Sequence, residues 1–205
     1  HRDLHLSIRR QRQMCIRDRA IIPIVIDMLN VNPSFQHHWK CYGEWSPAIE
    51  DYVNEGVMNW MDSREFARMM EIVEPYSFIE QLHLPKFLIN ATGDEFFATD
   101  SWQFYWDDLQ GEKHVQYIPN TNHGLRNIDG EYNLKSLAAF YKAVISDTER
   151  PSYDWYVSND SIYLNIDHMV NADYSIKQWE IVNGETRDFR VYVAGRAWSS
   201  TDIPK

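Results

Sequence analysis

Cysteine is scarce in this sequence. Two residues in 205, Cys15 and Cys41, cannot build a disulfide framework, and neither sits in a CxxC or a Cys/His pattern of zinc-ligand spacing. Nothing in the cysteine count therefore fixes a redox compartment. Long apolar runs are missing too. The longest candidate, "AIIPIVIDMLNV", falls short of the ~18 residues a spanning helix needs, so no transmembrane segment is expected. Basic clusters are absent beyond the first twenty residues, and the formal charge of -10 leaves no face to neutralise phosphates, which excludes nucleic acid as a partner. The sequence has no internal repeat, no low-complexity segment, no signal peptide and no G-x-S-x-G nucleophile motif. What it does have is 44% hydrophobic and 14% aromatic content, ample for a packed core.

The first 19 residues, "HRDLHLSIRRQRQMCIRDR", differ from the rest. Six arginines against Asp3 and Asp18 give this stretch a net +4 and leave -14 on the remainder. Its apolar positions hold no 3.6-residue period. The expectation is a non-native leader over 1–19, of the adapter or vector read-through kind, and a truncated C-terminal end after "SSTDIPK".

From Ala20 onward, strand and helix signals alternate. "AIIPIVID" (20–27) reads as a strand buried on both faces. Asn32 to about Glu74 is mostly helical, including "SREFARMMEIV" behind a Ser63 cap. "LPKFLINATGD" predicts a second buried strand, and "TDSWQFYWDDL" an amphipathic helix capped by Thr99 or Asp100. "KHVQYIPN" predicts a third strand, and residues 130–145 a helix with Leu134, Leu137, Ala138 and Tyr141 on one stripe. The alternation predicts a doubly wound, mostly parallel α/β sheet over 20–150. After Arg150-Pro151 the texture becomes period-two, with "YDWYVSNDSIYLNI", "SIKQWEIV" and "DFRVYVAG" separated by polar turns, which predicts a β-rich antiparallel domain over 151–205.

Chemistry is expected beyond the carboxyl ends of the parallel strands. Asp94 follows one such strand and His123, in "IPNTNHGL", follows the next. A carboxylate that accepts from one imidazole nitrogen leaves the other nitrogen to take a proton from a nucleophile. Taken singly, each is an ordinary turn residue. Together, acid before base on successive strand-end loops is the chain order of α/β-hydrolases. Glu95 and Asp27 compete with Asp94 for the acid. Adjacent on a helix, His37 and His38 point about 100° apart and do not suit one metal ion, so no metal or cofactor is expected. The aromatic stretches "HHWKCYGEW" and "WQFYWDDL" are candidates for a substrate-binding wall or simply core, and Asn120 and Asn122 for turn formers.

The segments "AIIPIVIDMLN", "SFQHHWKCYGEWSPAIEDYV", "EIVEPYSF", "LPKFLINATGDEFFATDSWQFYWDDLQGEKHVQYIPNTNHGL" and "RDFRVYVAGRAWSSTDI" resemble the PhoPQ-activated pathogenicity-related proteins over about residues 20 to 205. The resemblance implies the C-terminal part of an α/β-hydrolase fold followed by a partial β-sandwich-like domain. It implies a nucleophile motif of the form G-x-S-K-R-G shortly before the segment matching "AIIPIVID", hence within or upstream of the leader, with Asp94 as triad acid and His123 as base. It also implies a secreted or periplasmic protein. The expected function is serine-dependent hydrolysis of an ester or peptide bond in an unidentified small molecule or peptide, with this chain inactive without the serine. The alternative is a secreted signalling or binding protein on a non-catalytic scaffold. A carbohydrate-binding or envelope-associated module has only the aromatics of the tail in its support.

Overall fold

The computed structural model describes residues 18–169 and 174–204; most of the expected leader, residues 1–17, lies outside them. The chain divides into two compact units, one running to Asn133 and taking in Ile181–Trp198, the other comprising Leu134–Glu180 and the segment from Ser199 onward.

In the first unit, helix α1 (Val31–Tyr42) starts at Asn30, whose side chain does not cap it. The cap comes from a distance: the Glu74 carboxylate accepts the Val31 N–H at 2.6 Å, which satisfies one of the first-turn donors. Gly43, at φ 72°, ends the helix by donating its N–H to Trp39 O. A short helix α2 (Glu50–Asn54) follows. Helix α3 (Arg64–Val73) begins at Ser63, whose hydroxyl accepts the Phe66 N–H at 3.1 Å, as the sequence predicts. Between these helices Phe35, Ile49, Met61 and Phe66 form a buried cluster flanked by Met28, Trp45, Met69 and Phe96.

Strand β1 (Lys86–Ala91), buried at all six positions, pairs in parallel with β2 (Lys113–Ile118), from Lys86 beside Lys113 to Ala91 beside Ile118. The expected doubly wound sheet is not formed. Among the described residues every sheet has two strands: this parallel pair and two antiparallel pairs. Residues 20–27 run beside β1 but make only two isolated bridges, Ile21 to Lys86 and Ile24 to Ile89. Pro23 has no N–H to give, and Val25 sits at φ 51°, a conformation foreign to a β-branched strand residue. The predicted crossover helix over 99–109 is also lost, reduced to one 3₁₀ turn at Ser101–Phe104. Both of its expected caps are used elsewhere: Thr99 donates its hydroxyl to Thr92 O, and the Asp100 carboxylate faces His37 and Arg187.

In the second unit, helix α4 (Lys135–Ile145) buries Phe140 and Val144; of the predicted stripe, Leu134 and Leu137 are half-buried while Ala138 and Tyr141 are exposed. Strands β3 (Ser152–Ser158) and β4 (Ser161–His168) form a hairpin whose turn residues Asn159 and Asp160 both have positive φ, the I′ geometry that matches strand twist. Tyr156 and Tyr163 stack across it at 4.8 Å. Strands β5 (Ile176–Glu180) and β6 (Ser199–Ile203) make a second antiparallel pair. The two hairpins are separate sheets, so the expected β-sandwich is not formed among the described residues. "DFRVYVAG" is not a strand: it contains the helical turn α5 (Val191–Ala194), which belongs to the first unit.

Candidate active site

The loops leaving β1 and β2 are tied together. Thr92 donates its N–H to Ile118 O, Gly93 to Thr121 O, and the Thr92 hydroxyl accepts the Asn120 N–H at 2.9 Å. Gly93 has no room for a side chain, because a Cβ there would lie 2.5 Å from Val191 Cγ2 and 3.1 Å from Phe189 O. That close approach lets Val191 donate its N–H to Gly93 O and sets the backbone just before Asp94.

Asp94 is 3% exposed. Its Oδ1 accepts the Phe96 N–H at 2.7 Å, closing a turn on its own loop. Both carboxylate oxygens face His123, with Nδ1 at 3.1 Å from Oδ1 and 3.0 Å from Oδ2. A carboxylate seated this way favours a proton on Nδ1 and presents Nε2 as the basic nitrogen. The His123 side chain is 32% exposed, so the ring is open to solvent while its acid is not. Phe96 packs against the imidazole at a tilt of 42°, with ring centroids 4.2 Å apart. Burial raises the Asp94 pKa above the ordinary carboxylate range, opposed by the Phe96 N–H and by His123.

The competing acids have other partners. The Glu95 carboxylate accepts the His123 backbone N–H at 3.1 Å, so it holds the loop and not the ring. Asp27 is buried beneath Tyr105 and Tyr117, both of which donate their hydroxyls to it; burial outweighs those two bonds and pushes its pKa up to about 7. Asn120, at φ 60°, exchanges two 2.9 Å bonds with the backbone of Trp198. Asn122 turns its side chain onto the Gly124 N–H. Of the aromatics considered for a substrate wall, Tyr105 and Trp106 are core, whereas Trp39 is half exposed and packs against Trp45 at 4.9 Å.

His37 and His38 diverge, as their adjacency predicts. His38 Nε2 accepts the Ser46 N–H at 3.1 Å while Nδ1 lies 3.2 Å from Phe96 O, and burial lowers its pKa to about 4. His37 Nε2 faces Asp100 Oδ1 at 2.6 Å and Cys41 Sγ at 3.3 Å.

Sequence reasoning missed the support beneath Asp94. Tyr42 donates its hydroxyl to Asp94 O at 3.2 Å. The Arg190 guanidinium lies 4.2 Å from the Tyr42 ring centroid and is fixed by a multiply bonded pair with Asp188, Nε to Oδ1 at 2.9 Å and Nη2 to Oδ2 at 2.5 Å. Both charged residues are buried. The one available signal was the D-x-R spacing of Asp188 and Arg190, which lies inside a segment that reads as a strand.

Comparison with known proteins agrees with the motif-level resemblance. The PhoPQ-activated pathogenicity-related protein family matches residues 16–190. Autocrine proliferation repressor protein A of Dictyostelium discoideum is 34% identical over 182 residues, which covers 84% of this chain and 37% of that protein. The chain thus spans little more than a third of the length of this curated relative. The extent of the family match, which takes in β1, β2 and both strand-end loops, shows that the chain belongs to the PhoPQ-activated pathogenicity-related family.

Proposed function

We propose that this chain carries the acid and base of a serine-dependent hydrolase that cleaves an ester or peptide bond in a small molecule or peptide. The observation that supports it is the seating of both oxygens of a buried Asp94 against Nδ1 of a partly exposed His123. In the proposed reaction, Nε2 of His123 takes the proton of a serine hydroxyl as its oxygen bonds to the substrate carbonyl carbon. The same nitrogen then returns the proton to the departing alcohol or amine, and the acyl-serine is hydrolysed by water in a second round of the same transfers. Asp94 keeps the Nδ1–H tautomer and stabilises the imidazolium. In this reading the attacking serine lies N-terminal to Ala20, before the segment that the nucleophile motif of the resemblance would precede. A secreted or periplasmic location is part of the same reading.

The test is labelling by a fluorophosphonate probe of a form of the protein that carries that serine. Labelling lost in His123→Ala supports the proposal, and equal labelling of the two forms removes His123 from the mechanism.

A second reading is favoured by the name of the relative, an autocrine proliferation repressor. In it the protein is a secreted signalling or binding protein and the Asp94–His123 pair fastens two loops. It calls for no probe labelling in the parent protein and an undiminished biological response in His123→Ala.

A further inference from the structure

We propose that His37, Cys41 and Asp100 form a binding site for a zinc-class divalent metal ion, distinct in its residues from the Asp94–His123 pair. His37 and Cys41 are four residues apart on α1 and so lie on one face of the helix, one turn from each other. Asp100 comes from the loop after β1. The three donor atoms, His37 Nε2, Cys41 Sγ and Asp100 Oδ1, lie within 4.8 Å of one another, with Nε2 to Oδ1 at 2.6 Å and Sγ to Nε2 at 3.3 Å. Bonds of roughly 2.0 to 2.3 Å from a tetrahedral zinc ion separate its ligand atoms by about 3 to 4 Å, so side-chain adjustments of under an ångström or so suffice.

The arrangement does not suit a nucleophilic relay. A thiol activated by a His–Asp pair needs the thiol on one imidazole nitrogen and the carboxylate on the other, whereas here both converge on Nε2. Three donors meeting at one point is the geometry of a common ligand-bound centre.

The donor set also selects the metal class. One thiolate, one imidazole and one carboxylate suit zinc and its borderline neighbours and do not suit magnesium or calcium, which take oxygen. Three protein ligands leave the fourth position for water or another ligand, the pattern of an open site. Binding releases the Cys41 thiol proton and displaces the proton that otherwise bridges His37 and Asp100. A thiolate and a carboxylate then balance the charge of the ion. The Arg187 guanidinium bonds the other carboxylate oxygen, Oδ2, at 2.5 Å and also bonds Cys41; its side chain is 63% exposed, which leaves it room to release the sulfur to the ion while it keeps Asp100. It remains as an outer partner that orients Asp100. Cys41 is buried and the His37 side chain is 15% exposed, so the centre is sheltered from competing ligands.

The experiment uses the full chain in a Cys15→Ser background, which leaves Cys41 the one thiol. Metal-free protein is titrated with Co²⁺, read by its thiolate-to-metal charge-transfer absorption, and with Zn²⁺, read by calorimetry. The expected result is one ion of either metal per chain, a charge-transfer band that is lost in Cys41→Ala, and Zn²⁺ affinity reduced by more than about 10-fold in His37→Gln and Asp100→Asn. Far-ultraviolet circular dichroism checks that each variant is folded. Should Cys41→Ala not fold, the band and the two other variants decide. No charge-transfer band in the parent chain, a band that survives loss of Cys41, or unchanged affinity in both His37→Gln and Asp100→Asn overturns the proposal.

Discussion

Val191 donates its backbone N–H to the carbonyl of Gly93 at 3.1 Å, and its side chain occupies the space that any Cβ on Gly93 would need. The residue before the buried acid is thus held by contact with a segment almost a hundred positions away in sequence. The crowding involves the Phe189 carbonyl as well as a side chain, so it cannot be relieved by a change of rotamer alone. Gly93→Ala is therefore expected to cost about 1–3 kcal/mol of stability. Urea denaturation of parent and variant measures it, and an unchanged midpoint would show that the two segments do not meet as described.

Arg190 and Asp188 form a buried ion pair below Tyr42, at 2% and 6% exposure. Removing one partner leaves the other charge without compensation, so Arg190→Met alone is expected to destabilise by about 3–5 kcal/mol. Arg190→Met combined with Asp188→Leu is expected to recover much of that loss, because no buried charge remains. A double-mutant cycle on the chemical unfolding free energies tests the pair.

Asp27 titrates well above an ordinary carboxyl, at about 7, because burial outweighs the hydrogen bonds from Tyr105 and Tyr117. A folded-state pKa raised above the unfolded value near 3.8 means that the folded chain binds the proton more tightly. The resulting stabilisation is fully present below pH ~4 and is lost as pH rises through ~7. Asp27→Asn keeps a neutral acceptor for both tyrosines and is expected to flatten this slope, by up to about 4 kcal/mol across the window. Unfolding midpoints measured from pH 4 to 8 provide the check, and an identical slope in the variant would contradict it.

Asp94→Asn keeps the shape of the side chain but can no longer favour the Nδ1–H tautomer of His123. In a catalytically complete form of the protein, the fold is expected to persist while turnover drops by roughly 10⁴. Full turnover in Asp94→Asn would pass the acid's role to Glu95 or Asp27, although neither is hydrogen-bonded to the ring in this structure.

Much of the site was legible in the sequence because its cues are local. A strand ending at Gly93, an acid directly after it, and a histidine in a turn after the next strand suffice to bring Asp94 and His123 together. The Ser63 cap and the Asn159–Asp160 hairpin turn are local in the same sense. The misreadings share a different cause, namely that distant partners claim the groups that local rules assign. Thr99 and Asp100 would cap a helix if Thr92 and His37 did not engage them. Arg190 would sit on the solvent side of a strand if Asp188 did not bury it. Pro23 and Val25 interrupt a run that is apolar enough for a central strand, and an apolar pattern carries no information on φ. The four-residue spacing of His37 and Cys41 is readable on one helix, but their approach to Asp100 depends on how α1 meets the loop after β1.

Asp94, seated on Nδ1, is expected to fix His123 as the Nδ1–H tautomer with Nε2 as its basic nitrogen. Long-range ¹H–¹⁵N correlation spectra of the chain's histidines, with His123 assigned by its loss in His123→Gln, report this tautomer directly. The expected result for the neutral ring is a protonated Nδ1 and an unprotonated Nε2, with the preference lost in Asp94→Asn. A His123 that carries its proton on Nε2, or whose tautomer is indifferent to Asp94→Asn, would show that Asp94 does not orient the ring.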